Sequence, residues 1–280
     1  MYKQKLCLGL MASLPEPLTE QVKMIKSAGF DAVFAEWNGK GSLDEIAEEI
    51  KNQGLIFQSV HAPFTKSAHM WGEDEERAEI ALNELLDCLD DCEKLGAPIM
   101  VVHAFIGFED HNPTAIGIKR FEKVVNSAEE KGIKIAFENT EGEEYLDALM
   151  EAFKNNKNVG FCLDTGHEMC YNRHRDMLAS YGDRLIATHL NDNLGISRED
   201  GEIFWTDDLH LLPFDGIADW DNIAARLDKW DYNGILTFEL TVKSKPDRHE
   251  NDKYAAMGTK QYLAEAYARA CRVAAKRKSV

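Results

Sequence analysis

The sequence predicts an α/β fold built as a single-domain (β/α)8 TIM barrel, and three observations carry that reading. Eight short apolar runs recur along the chain, most of them separated by a stretch with helical periodicity. Several runs are apolar almost throughout instead of alternating, which suits strands buried on both faces of a parallel sheet. From the third run onward each carries a His, Asp or Glu at or near its end, where a barrel builds its site. A doubly wound open sheet is the competing arrangement.

The first three strands are expected at Leu6–Leu10, Ala32–Glu36 and Ile56–His61. A long connection over 62–72, with His69, Met70 and Trp71, follows the third. Residues 73–95 then read as a helix. Glu73, Asp74, Glu75 and Glu76 suit its positive N-terminal end, Leu82, Leu85, Leu86 and Leu89 form one face, and Gly96 stops it. Further strands are expected at Ile99–Ala104, Lys134–Glu138, Val159–Asp164 and Leu185–Leu190. A second long connection, 191–218, is rich in Asp, Glu and aromatic residues. Ile235–Leu240 is the last strand, and an Ala-rich closing helix is expected over 254–275, with Lys276, Arg277 and Lys278 favourable near its C-terminal dipole. No linker, low-complexity tract or composition shift divides the chain, so residues 1–280 read as one domain. In a barrel both long connections would lie over the C-terminal face, where substrate sites are built.

Composition narrows the function. The 280 residues are 44% hydrophobic and 29% charged, an ordinary soluble profile, and no run reaches the apolar length of a membrane helix. Thirty-two basic against 49 acidic residues give a net charge of −17, which disfavours nucleic acid as a partner because affinity for it comes largely from Lys and Arg on phosphates. The six cysteines are scattered with no CxxC spacing, and the N-terminal apolar stretch is too short for a signal peptide. A cytoplasmic protein with reduced thiols is expected.

The polar residues near strand ends are His61, His103, Glu138, Asp164, His189 and Glu239, with His167, Asp208 and His210 just beyond strands. Taken singly, His61 or His103 fits a core histidine with satisfied hydrogen bonds, and Asp164 fits a cap for the segment after it. Together they fit packing poorly. A carboxylate is almost never fully buried unless paired, and these strand ends offer no Lys or Arg. A divalent cation is the better counter-charge. Two Glu, one Asp and an imidazole form a mixed oxygen and nitrogen donor set, which suits Mn²⁺, Zn²⁺, Co²⁺ or Fe²⁺ better than Mg²⁺ alone. The sequence has no GxxxxGK[ST] loop, no GxGxxG after a strand and no GxSxG, so the expected chemistry is metal-assisted.

The segments HAP around His61, FEN around Glu138, LDTGH at 163–167, HLND at 189–192, DLHLLPFDG at 208–216 followed by DW at 219–220, and FEL around Glu239 resemble the xylose-isomerase-like barrels. That superfamily includes sugar and sugar-phosphate isomerases and epimerases, inosose and dehydroshikimate dehydratases, and apurinic endonucleases of the endonuclease IV type (AP endonuclease family 2). The resemblance to its ketose 3-epimerases implies one metal held by Glu138, Asp164, His189 and Glu239, the two glutamates also forming the proton-transfer pair, and substrate contact by His167. The resemblance to its endonucleases implies further zinc ligands at His61, His103, His167, Asp208 and His210.

Two enzyme readings follow. The leading one is a divalent-metal-dependent isomerase or epimerase of a small sugar or sugar phosphate, working through an enediolate, with a dehydratase as a close variant. Here His61, His103, His167 and His210 would bond sugar hydroxyls; Trp37, Phe105 or Trp205 could wall the pocket, with ordinary packing the favoured role for each, and Arg173, Arg175, Arg198, Lys243 and Lys245 lie in loops that could reach a phosphate, with surface solvation the default. The alternative is an endonuclease IV-type zinc phosphodiesterase at abasic DNA. Against it stand the acidic balance and the acidic, aromatic stretch NLGISREDGEIFWTDD, where basic contacts to DNA would be expected. A barrel kept as a pure binding module is a third reading, which has no use for both glutamates.

Overall fold

The computed structural model describes residues 4–108, 111–173 and 175–278. Eight strands form the barrel: β1 (Leu6–Gly9), β2 (Ala32–Glu36), β3 (Ile56–His61), β4 (Ile99–His103), β5 (Lys134–Glu138), β6 (Val159–Asp164), β7 (Leu185–His189) and β8 (Leu236–Phe238). They lie in the order β7-β6-β5-β4-β3-β2-β1-β8, each ladder parallel, so the predicted barrel is the one found and the open sheet is not. Closure is made just past β7. The Leu190 N–H donates to the Thr237 carbonyl at 2.8 Å, and the Glu239 N–H donates to the Leu190 carbonyl at 3.3 Å.

Around the barrel run α1 (Leu18–Ala28), α2 (Asp44–Asn52), α3 (Glu75–Leu95), α4 (Ala115–Glu130), α5 (Glu143–Ala152), α6 (Thr165–Cys170), α7 (Met177–Tyr181), α8 (Trp220–Lys229), α9 (Asp252–Ala255) and α10 (Thr259–Ala274). The acidic start of α3 is a true cap, since the Asp74 carboxylate accepts from the Arg77 N–H, and Gly96 ends the helix at φ 73°. The closing helix expected over 254–275 is instead two pieces. Gly258, at φ 75°, turns the chain between α9 and α10.

Side chains two apart on a strand share a face. On β4 to β7 the buried Val101, Ala136, Cys162 and Ala187 pack together, each two residues before the last residue of its strand. Those last residues are His103, Glu138, Asp164 and His189, so small apolar side chains form a layer beneath the polar one. The intervening residues, among them Met100, Val102, Ile135, Phe137, Phe161 and Leu163, join the main core.

The 191–218 excursion is pinned by one buried carboxylate, Asp192. Its oxygens accept from the N–H groups of Asn193 (2.9 Å), Phe214 (2.8 Å) and Ala218 (2.9 Å) and from Trp220 Nε1 (3.0 Å). The chain passes so close that a Cβ at Gly216 would sit 2.3 Å from Asp192 Oδ1 and 2.2 Å from the Asn193 carbonyl, which explains the glycine of DLHLLPFDG. Asp192→Ala strands four donors at once and is expected to destabilise the chain by about 3 kcal/mol or more, with Asp192→Asn, which keeps one acceptor, losing less. An unchanged unfolding midpoint for the alanine variant would contradict this role for Asp192.

Candidate metal centre and catalytic site

Strand register assembles the site. Asp164 pairs with His189 across β6 and β7, and His103 pairs with Glu138 across β4 and β5. His61 is the last residue of β3, and Glu239 follows β8 directly at the closure. One ligand atom from each of Glu138, Asp164, His189 and Glu239 lies within 4.8 Å of the others, a spacing that can hold a metal ion. His61, His103 and Glu138 form a second such group, and His167, Asp208 and His210 a third. All nine residues singled out in the sequence therefore converge on the C-terminal mouth.

His189 is the hub of the first group. Its Nδ1 lies 2.9 Å from Glu138 Oε1 and 3.2 Å from Glu239 Oε2, and its ring is stacked between Phe34 (4.7 Å) and His61 (5.7 Å). Glu138 is fully buried and Glu239 is not; the latter side chain is 17% exposed and lines the open cavity. Burial by itself raises the Glu138 carboxyl, but His189, His103 and His61 outweigh it and hold Glu138 well below the usual carboxylate range. Glu239 is lowered in the same way, burial being overcome by His189 and His210. Asp164 moves up, because burial and the charges of Glu138 and Glu239 exceed the help from His167.

Backbone carbonyls set the histidine tautomers. A carbonyl only accepts, so His61 Nδ1 donates to Ala62 O at 2.8 Å and His167 Nδ1 donates to Asn139 O at 2.9 Å. Each ring then offers Nε2 to the site. His61 Nε2 faces His103 Nε2 at 3.2 Å, and His167 Nε2 faces Asp208 Oδ1 at 3.6 Å. His210 stands at φ 46°, a conformation uncommon for a residue with a Cβ, which aims its Nε2 at Asp208 Oδ2, 2.8 Å away. Despite burial, Asp208 raises His210 to about 9.

The donor atoms fit a divalent cation. Glu138 Oε2 and Asp208 Oδ1 are buried without a hydrogen-bond partner, although Glu138 Oε2 lies 3.2 Å from His103 Nε2 and 3.4 Å from His61 Nε2. Unmade bonds on buried charged groups are expensive, and a cation among these carboxylates would relieve them. Neither Glu138 nor Asp164 meets a Lys or Arg among the described residues. The third group has one nearby cation, since Lys245 Nζ lies 3.4 Å from Asp208 Oδ2.

Sequence reasoning passed over the residues that hold these donors in place. Asn139 Oδ1 accepts from the Asp164 N–H at 2.8 Å while its Nδ2 donates to the Asp164 carbonyl and to Asn172. Asn191 Nδ2 donates to Asp164 Oδ2 at 2.9 Å. The signal was present, because these are the Asn of FEN and the Asn of HLND, each one or two residues after a ligand candidate. The glycine of LDTGH has the same cause. A Cβ at Gly166 would sit 2.0 Å from Asn191 Oδ1. Tyr171, also unforeseen, stacks on His167 at 5.0 Å.

The remaining expectations divide. Trp205, 44% exposed, does line the cavity of about 670 Å³ that holds Glu239 and His210, together with Lys243 and Lys245. Trp37 and Phe105 are buried packing residues, and neither lines this cavity. Trp37 Nε1 donates to Asp91 at 2.7 Å, and Phe105 stacks on Tyr145 at 4.0 Å. Arg175 is taken up by Asp147 and Glu143, and Arg198 by Asp200 and Glu202. Arg173 and Arg198 line a second cavity beside the first. Among the described residues no helix is long and apolar enough to cross a membrane.

Comparison with known proteins places this geometry in a family. A curated relative, the uncharacterized protein y4fM of Sinorhizobium fredii, is 28% identical over 267 residues, covering 81% of this chain and 82% of its own. Among solved structures, the IolI protein with a bound zinc atom superposes with a TM-score of 0.74 at 18% identity, covering 99% of this chain and 100% of its own. D-psicose 3-epimerase of Clostridium cellulolyticum H10 gives 0.72 at 16% identity over 96% and 98% of the two chains. The 3-keto-D-glucoside 4-epimerase YcjR of E. coli gives 0.66 at 18% over 91% and 98%. At these identities the structures share the fold. The family model for the xylose isomerase-like TIM barrel matches residues 22–276, and the chain belongs to that family.

Proposed function

We propose that this chain is a divalent-metal-dependent isomerase or epimerase of a small sugar or sugar phosphate, with Glu138, Asp164, His189 and Glu239 as the metal ligands. The observation that carries the proposal is the convergence of these four donors, two of them glutamates that meet the same histidine nitrogen, beside a cavity of about 670 Å³. Sugar epimerases and a zinc-binding protein among the structural relatives support it. Mn²⁺ or Zn²⁺ suits the donor set best, with Co²⁺ or Fe²⁺ next. When bound, such an ion supplies Lewis-acid polarisation of the substrate carbonyl and fixes its orientation.

The chain's own groups do the rest. Glu239, the glutamate facing the cavity, takes the proton from the carbon alpha to the carbonyl. Glu239 then releases its proton to solvent in the cavity, and Glu138, ionised at rest, takes one up from solvent and delivers it to the opposite face of the resulting enediolate in an epimerase, or to the neighbouring carbon in an isomerase. His61, His103, His167 and His210 bring ring nitrogens to the mouth, where they hold hydroxyl groups. Glu239→Gln keeps the shape and the hydrogen-bonding capacity of the side chain but removes the base. It is expected to leave the fold intact and to lower exchange of the substrate C–H with deuterated solvent by about 10³-fold. Exchange at the wild-type rate would overturn the two-glutamate mechanism.

One observation favours a second reading, an endonuclease IV-type zinc phosphodiesterase acting at abasic DNA. The groups His61–His103–Glu138 and His167–Asp208–His210 each have metal-binding spacing, so the residues for three sites are in place. The net charge of −17 and the pairing of Arg198 with its own acidic neighbours leave little surface for a DNA backbone, which is why the sugar reading leads. His210→Ala separates the two. In the sugar reading the variant keeps the tightly held metal of the wild type. In the nuclease reading it loses bound zinc, and the zinc-loaded wild type cleaves duplex DNA at an abasic site.

A further inference from the structure

Two adjacent aromatic residues on the β7–α8 excursion face different cavities. Trp205 lines the cavity of Glu239, and Phe204 lines a second one of about 730 Å³. Phe108, Glu141, Tyr171 and Phe204 contribute to this second cavity from the loops after β4, β5, β6 and β7. It therefore opens on the same face as the metal centre, and the two share a rim at residues 204–205. A chain of ring contacts links them, from His210 in the first cavity through His167 (5.8 Å) to Tyr171 in the second (5.0 Å), which meets Phe108 at 5.9 Å.

The lining has two features that folding does not require. Phe108 and Phe204 are 38% and 43% exposed, with ring centroids 6.3 Å apart, so neither is buried in the core. Most of the acidic side chains already have partners: Glu202 pairs with Arg198 at 3.0 Å and Glu143 with Arg175 at 3.4 Å, while Glu144 meets the His111 ring at 2.6 Å. Glu141 is buried, with one carboxylate oxygen accepting from the Gly107 N–H at 3.0 Å. Apart from Arg173, which lines it without an ion-pair partner among the described residues, the cavity has little to attract a strong ion. Its spare carboxylate lone pairs and guanidinium N–H groups suit hydroxyls, and its open aromatic faces suit the C–H face of a sugar ring, whose hydrogens carry partial positive charge toward the ring quadrupole.

The geometry points to a second sugar-ring subsite beside the metal centre, so that the substrate is a glycoside with one ring in each cavity. This deepens the sugar reading of the central site and rests on it. Both phenylalanines are partly exposed, so replacing them leaves the main core untouched. The test is calorimetric titration of the full chain with glucose and galactose, with their methyl glycosides and with disaccharides containing them. It is run on the wild type, Phe108→Ala, Phe204→Ala and Phe204→Trp.

Disaccharides are expected to bind about tenfold more tightly than the monosaccharides, a margin that either alanine variant removes and Phe204→Trp keeps. Monosaccharide affinity should be the same in all four proteins. Equal affinities for the two classes, no disaccharide binding at all, or a margin that survives both alanine substitutions would overturn the subsite. Turnover is scored separately. Phe204-dependent disaccharide binding without any proton exchange would leave the subsite standing and overturn the isomerase reading.

Discussion

The hydrogen bonds that Leu190 makes to Thr237 and Glu239 close the barrel, and the site depends on that closure. Without it, His189 at the end of β7 and Glu239 beyond β8 would sit at opposite edges of a curved sheet. With it, the His189 ring nitrogen reaches glutamates contributed from β5 and from the β8 end at the same time. Parallel register does the remaining work, since pairing Asp164 with His189 and His103 with Glu138 leaves no freedom in which side chains meet. One contact thus links backbone topology to the position of the reacting groups.

The same closure gathers acidic groups of which two, Glu138 and Asp164, meet no Lys or Arg among the described residues. Histidines and asparagines surround Glu138 and Asp164, and several of their atoms are left unmatched. Folding by itself gains nothing from such a cluster; it is a local expense offset by the apolar layers beneath and around it. Asparagines fix the backbone and carboxylate of Asp164, while carbonyls fix the rings of His61 and His167. Donors held this rigidly suit a cation of definite geometry, because little reorganisation is then needed on binding. Asp192 extends the same logic to the long excursion that brings Asp208 and His210 to the mouth.

Much of this was legible in the sequence because of contrast. A single His, Asp or Glu ending an otherwise apolar run stands out, and the barrel's alternation sends His103, Glu138, Asp164 and His189 to one layer. What was not legible depended on distant partners. Trp37 was open to a role in the pocket until Asp91, 54 residues away, took its N–H, and Phe105 was equally open until Tyr145 covered it. The break between α9 and α10 rests on one glycine at positive φ within an Ala-rich stretch whose composition favours a continuous helix. The unequal exposure of the two glutamates was hidden as well, because Glu138 and Glu239 look alike in their strands and differ only in what closes over them.

The central claim is that the cluster at the barrel mouth is built for a divalent cation. Titrating the chelator-stripped chain with Mn²⁺, Zn²⁺, Co²⁺ and Fe²⁺ while following thermal unfolding tests it most directly. Binding to the folded state alone raises stability by about 2.7 kcal/mol when the free ion is a hundredfold above its dissociation constant. The account expects a midpoint that rises by several degrees with at least one of these ions in the wild type and stays fixed in Asp164→Asn. A wild-type midpoint that no ion moves, or one that rises equally in the variant, would contradict it.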